Sequence, residues 1–230
     1  MTNKVIVVIG GSRGIGRELV NQFSADQSNT VIALSRNVDA MKTQFTAENI
    51  HCGYLDLTAD DVHSALDEVL KPYAAIDIVV NNAGKLVNKP FLELTREEIN
   101  VCYQTNAVGV MHATQYMVPK MLEKGGHIVN ISTMGAFQGS VKFPGLSAYS
   151  TSKAGITSFT ELFAEEYKDT KIKMNCLCLG AAQTEMLEEA FPGLLAPVSA
   201  AEIAAFIVDF AYHAPKYFNG KILPVSSTTP

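Results

Sequence analysis

Residues Val5-Ile-Val-Val-Ile9 run without a break into Gly10-Gly-Ser-Arg-Gly-Ile-Gly16, and this junction restricts the fold more than any other feature of the chain. Apolar residues on successive positions mark a strand covered on both faces. Glycine then permits a tight turn, a close approach of backbone to a phosphate, and tight packing of the following helix on the strand. A helix starting there offers unpaired N–H groups and its positive dipole end to an anion. The junction therefore predicts the opening unit of a parallel α/β sheet with a diphosphate site at the turn.

The rest of the chain repeats that unit. Apolar runs at Val31–Leu34, Ile50–Leu55, Ile76–Val80, Ile128–Ile131, Ile172–Leu179 and Lys221–Val225 alternate with helical stretches. Gly14–Ala25 follows the first turn. Thr58 is the expected N-cap of Ala59–Leu70, with Asp60 and Asp61 at its positive end. Thr95-x-x-Glu98 is a capping box opening a long helix to about Lys124. Ala148–Asp169 places Ile156, Phe159, Phe163 and Tyr167 on one stripe, and Ile203, Phe206, Ile207 and Phe210 mark a last helix. This order predicts an α/β fold: a doubly wound parallel seven-stranded sheet, helices on both faces, right-handed crossovers. No linker or internal repeat divides it, so residues 1–230 are read as a single domain.

Composition narrows the class. At 230 residues and 47% hydrophobic, the chain can bury a large core without disulfides or metal. A net charge of −5 argues against a nucleic-acid binder. No apolar run approaches the roughly 20 residues needed to cross a bilayer, and no leader pattern opens the chain, so a soluble cytoplasmic protein without membrane partners is expected. The four cysteines and five histidines lack ligand spacing, and no metal site is assigned.

The second strand normally ends on an acid that binds the adenosine ribose hydroxyls of a dinucleotide. Here it ends on Ser35 and Arg36. Arginine offers a permanently charged fork suited to a 2′-phosphate, and Arg13 in the glycine turn adds a second cation. NADP(H) is favoured over NAD(H). Tyr149-Ser-Thr-Ser-Lys153 then places a phenol and an ammonium four residues apart on one helical face. An ammonium about 4 Å from the phenol, at an effective dielectric of about 20, is worth roughly 4 kcal/mol. It is expected to lower the tyrosine pKa from its usual value near 10, making a proton donor to a carbonyl receiving hydride.

These elements in order resemble the short-chain dehydrogenase/reductase family, whose Rossmann-like fold would span nearly the whole chain. The landmarks are Gly10–Gly16, Asp56, Asn81-Asn82-Ala83-Gly84, Asn106, Ser132-Thr133 and Tyr149/Lys153. The resemblance implies that Gly10, Ser12, Arg13, Gly14, Ile15 and Gly16 hold the diphosphate, with Ser35 and Arg36 at the adenosine ribose. Asp56 and Leu57 would contact the adenine; Asn82, Ala83 and Gly84 would flank its ribose. Tyr149 would be the proton donor, Lys153 would bind the nicotinamide ribose, and Asn106 would hold a relay water. Gly180 and Thr184 would cover the nicotinamide.

Three positions depart from the family pattern: Ile9 for a threonine, Leu179 for the proline before Gly180, and Thr133 at the place of the substrate-orienting serine. Alignment on the family's strand end implies Thr133 for that role, and strand alternation sends Ser132 and Thr133 to opposite faces, so only one of the two can serve. Substrate choice is expected in Gly135–Ser147 and in a short apolar lid at 185–198. A small to medium carbonyl or alcohol substrate follows, a sepiapterin reductase-like pteridine carbonyl being one candidate. A homodimer or homotetramer is implied by resemblance. The alternative function is an NADPH-binding regulatory protein on the same fold.

Overall fold

The computed structural model describes residues 3–226. Seven strands form one sheet in the order β3-β2-β1-β4-β5-β6-β9, each neighbour pair parallel. They are β1 (Val5–Ile9), β2 (Thr30–Ser35), β3 (Ile50–Tyr54), β4 (Ile78–Asn81), β5 (Gly126–Thr133), β6 (Ile172–Leu179) and β9 (Ile222–Val225). A two-residue ladder, β7 (Ala182–Gln183) with β8 (Val198–Ser199), lies outside the sheet. The chain winds outward from β1 to β3 and then restarts at β4 on the other side of β1. At that reversal the loops leaving β1 and β4 part, and a crevice opens beyond the strand ends.

Both faces are covered, which is why the strands read as unbroken apolar runs. Val7 and Ile9 point into one layer with α3 (Val62–Leu70), α5 (Gly109–Met117) and α6 (Ser147–Glu166). Ile6 and Val8 point into the other, with α1 (Gly14–Ser24) and α8 (Ala200–His213). Across the sheet centre Asn81 Nδ2 donates to Asn130 Oδ1 (2.7 Å), and Asn130 Nδ2 donates to Thr160 Oγ1 (2.9 Å). This buried chain ties β4 and β5 to α6.

The helices differ from expectation in four places. Asp61, not Thr58, caps α3 by accepting from Ser64 N (2.9 Å), because Asp56 Oδ1 already holds Thr58 N and Oγ1 in a turn. The long helix begins on its capping box at Thr95, as expected, but is broken. α4 (Arg96–Tyr103) gives way to a π turn at Gln104–Val108, then to α5 and a 3₁₀ turn at Val118–Lys120. Two constraints sit at the break: Asn106 is bonded to the backbone of Lys85, and a Cβ on Gly109 would stand 2.2 Å from Leu57 O. α2 (Val38–Gln44) has no counterpart in the sequence pattern, because only Met41 of its seven residues is buried. Finally α7 (Glu185–Ala190) forms within the predicted lid. No helix among the described residues is long and apolar enough to cross a membrane.

Candidate active site

Two adjoining cavities occupy the crevice. The larger, about 400 Å³, is lined by Gly14, Ile15, Thr133, Tyr149, Lys153, Gly180 and Thr184, among others. The smaller, about 160 Å³, is lined by Gly10, Ser12, Ser35, Arg36, Asp56, Leu57 and Ala83. Arg13, Asn82, Gly84 and Met186 border both. Residues scattered from 10 to 184 thus meet along one crevice, while Gly16 and Asn106 lie behind its wall.

The glycine turn is shaped by contacts that leave no room for side chains. Gly10 has φ +86°, and a Cβ there would stand 2.7 Å from Ala83 Cα. A Cβ on Gly16 would stand 1.8 Å from Gly10 O and 2.6 Å from Asn82 Nδ2, the group that donates to Gly10 O (3.0 Å). Arg13, at the N-cap of α1, makes no side-chain cap bond. The first-turn N–H groups of α1 therefore face the crevice without a capping side chain, a cradle that fits a dinucleotide diphosphate. Beside it Arg36 makes no ion pair among the described residues.

Arg13 does not stand free as its sequence position suggested. Its guanidinium pairs with Glu189 in two contacts, and Arg17 Nη1 reaches Glu185 Oε1 (3.4 Å). The hydrogen bond to Glu189 strengthens the arginine's hold on its proton. Two glutamates four apart on α7 bring one helical face onto two arginines four apart at the start of α1. The spacing of each pair is in the sequence, but nothing there brings the two segments together.

The polar floor is set by β5 and α6. Both Ser132 and Thr133 border the cavity, but the Ser132 hydroxyl donates to Lys153 O (3.1 Å). Thr133 instead bonds Tyr149 through its side chain. Burial pushes Tyr149 up to about 12, with the Thr133 bond opposing. The expected depression by Lys153 is absent: the ammonium donates to Ile131 O (2.8 Å) and Ala83 O (3.2 Å), and desolvation of the phenol wins. Burial lowers Lys153 to about 8, leaving it mainly charged at neutral pH.

Asn106 does not present its side chain to the cavity. Its Oδ1 accepts from Lys85 N (2.7 Å), and its Nδ2 donates to Lys85 O and Ser152 Oγ (both 2.9 Å). Both amide hydrogens are spent on holding the loop after β4 against α6, so the side chain braces that loop. Thr184 is likewise occupied: its Oγ1 caps α7 by accepting from Leu187 N (3.2 Å). Asn88, which no motif pointed to, donates from Nδ2 to Ala190 O (2.9 Å) and ties the far end of α7 to the same loop.

A family model described as short chain dehydrogenase matches residues 4–194. The chain belongs to the short-chain dehydrogenase family. A 3-oxoacyl-(acyl-carrier-protein) reductase of Chlamydia muridarum (strain MoPn / Nigg) is 30% identical over 194 residues, covering 81% of this chain and 77% of that protein. An L-2,3-butanediol dehydrogenase of Corynebacterium glutamicum is 32% identical over 197 residues, covering 81% and 75%. A solved structure from Brucella melitensis 16M, titled as a ribose-5-phosphate isomerase, superposes with a TM-score of 0.87 at 30% identity, covering 98% and 91%. Membership of this dehydrogenase family supports an NAD(P)-dependent oxidoreductase acting on CH–OH groups.

Proposed function

We propose that the protein reduces a carbonyl compound with NADPH, with Tyr149 as proton donor and Thr133 as the group that orients the carbonyl oxygen. The carrying observation is that Tyr149, Thr133 and Lys153 meet in the cavity beside the glycine turn. When bound, the reduced dinucleotide supplies hydride to the carbonyl carbon. Tyr149, held protonated by burial, has a proton to give at neutral pH. Thr133 favours the phenolate left behind, and the nearby Lys153 charge compensates it once the proton has moved. Lys153 has ammonium donor capacity beyond its two backbone bonds, which suits it to the nicotinamide ribose.

Preference for NADP(H) rests on Arg36, unpaired beside the smaller cavity, where an NAD site would carry an acid. Gly10, Ser12, Gly14, Ile15, Asp56, Leu57, Asn82, Ala83, Gly84 and Gly180 border the space assigned to the dinucleotide. Arg13 reaches a phosphate only by leaving Glu189. A cytoplasmic location is part of the reading, and four free thiols suit a reducing compartment. So is a homo-oligomer, which the exposed Tyr103, Met111 and Leu162 on α4, α5 and α6 would help to form.

The test is NADPH and NADH oxidation against a panel of ketones, diketones and a pteridine carbonyl. Turnover with NADPH that is lost in Tyr149→Phe, with NADPH affinity retained, is the expected result. Retained turnover in that variant refutes the tyrosine assignment. Tight NADPH binding without turnover of any carbonyl favours a regulatory protein.

A further inference from the structure

We propose that the carbonyl substrate of this site is uncharged and apolar in its body, and that the site rejects carboxylates and phosphates. The inference rests on the carbonyl-reductase reading and adds the substrate class. Two stretches of the larger cavity's lining are apolar. One wall is the loop after β5, with Met134, Val141 and Phe143; the other is the lid, with Met186, Phe191 and Leu194. All six are apolar.

Beyond Tyr149 and Thr133, which meet the carbonyl oxygen, and the Lys153 hydrogen left for the nicotinamide ribose, the charged groups bordering the cavity are already committed. Arg13 is paired with Glu189, and Glu185 with Arg17. Lys153 donates to two backbone carbonyls. The Ser140 hydroxyl donates to Phe137 O (2.9 Å) and also bonds Met134 O. Two further cations lie outside the lining: Lys142, which donates to Phe137 O and Ser140 Oγ, and Lys85, whose charge acts on Glu189 of the lid. A carboxylate lodged against these six side chains loses its water and meets no donor among them, whereas a methylene group gains apolar contact. Of the lid's three glutamates, Glu185 and Glu189 are neutralised by the two arginines, and Glu188, without an ion pair among the described residues, leaves a negative charge on the lid.

The walls are held in place, so their chemistry is what a substrate meets. Asn88 fixes the end of the lid helix through Ala190 O, and Lys89 N donates to Gly145 O (2.9 Å), tying the same loop to the opposite wall. The two arginines fix the start of the lid on α1.

The experiment compares a homologous series of unbranched methyl ketones with keto acids of matched length carrying a terminal carboxylate. kcat/KM is measured with NADPH, and binding of the same compounds to the protein–NADP⁺ complex is measured by calorimetry. The expected result is a rise of about fourfold per methylene until the cavity is full. Each keto acid is expected about 100-fold below its neutral partner in both readouts. Leu194→Arg, a cation placed on the lid wall, should narrow that gap at least about tenfold. Keto acids equal to or better than ketones, no dependence on chain length, an unchanged gap in Leu194→Arg, or no binding of either series each overturns the proposal. Binding that ranks as stated without any NADPH oxidation supports the pocket's class and refutes the carbonyl-reductase reading instead.

Discussion

Gly16→Ala separates the packing role of the glycine turn from its place beside the crevice. The added Cβ would sit 1.8 Å from Gly10 O and 2.6 Å from Asn82 Nδ2, and Asn82 is itself bonded to that oxygen. Neither neighbour is the free end of a flexible chain, so α1 must back away from the turn by more than about 1 Å to restore an ordinary contact. Such overpacking costs about 1–3 kcal/mol. Removing a helical glycine returns up to about 1 kcal/mol. The variant is therefore expected to lose roughly 1–2 kcal/mol, read as a lower urea midpoint with an unchanged slope. The first-turn N–H groups of α1 move with the helix, and a displacement of about 1 Å in a positioning element costs about 100-fold. NADPH affinity, measured by calorimetry, should fall by about that factor. Gly155→Ala is the control: it lies exposed on α6 with its nearest contact at 3.7 Å from Ala107 Cβ, and should leave NADPH affinity unchanged. A Gly16→Ala protein within about threefold of the parent in affinity, and as stable, would refute the reasoning.

Other outcomes follow from single contacts. His127 is buried and lowered to about 4 by desolvation, its Nδ1 bonded to Ala211 O and its Nε2 to Asn175. Below about pH 6.5 the unfolded chain takes up a proton that the folded one refuses until about 4. Stability should fall through that window by about 3 kcal/mol in total; a His127→Gln variant whose urea midpoint falls as much between pH 7 and pH 5 removes the attribution. Thr133→Ala should cut kcat by about 10²-fold while Ser132→Ala mainly lowers stability, and the reverse pattern in paired kinetic and unfolding measurements would move the orienting role to Ser132. Arg36→Ala should reduce the NADPH over NADH preference in kcat/KM by at least about tenfold, with the NADH value nearly unchanged; an unaltered ratio removes Arg36 from the phosphate site. Because burial holds Tyr149 near 12, alcohol oxidation, which needs the phenolate, should accelerate with pH from 7 to 10. A flat oxidation profile places the proton elsewhere.

Much of the site was legible because its residues sit on regular elements with short-range spacing rules. The turn at Gly10–Gly16, the Thr95–Glu98 cap and the Tyr149/Lys153 pair depend on neighbours within four residues. The broken helix near Asn106 was not legible, because the groups at the break, Lys85 and Leu57, come from distant loops. Arg13 misled for the same reason: its partner Glu189 is 176 positions away. Thr58 was outcompeted by a local turn at Asp56 that the capping rule does not weigh against Asp61.

By itself the sequence determined the doubly wound parallel sheet of seven strands and the glycine turn between its first strand and first helix. Covered strands must be apolar throughout, and close turns must be glycine; both demands are written in composition at fixed spacing. The tertiary structure decided the electrostatics. Whether a phenol is lowered by a nearby ammonium or raised by burial depends on where the ammonium points, and Lys153 points at Ile131 and Ala83. Whether Arg13 is free for a phosphate depends on a lid helix folding back onto α1. Charge energies depend on distance and on excluded water, and only the packed chain fixes those.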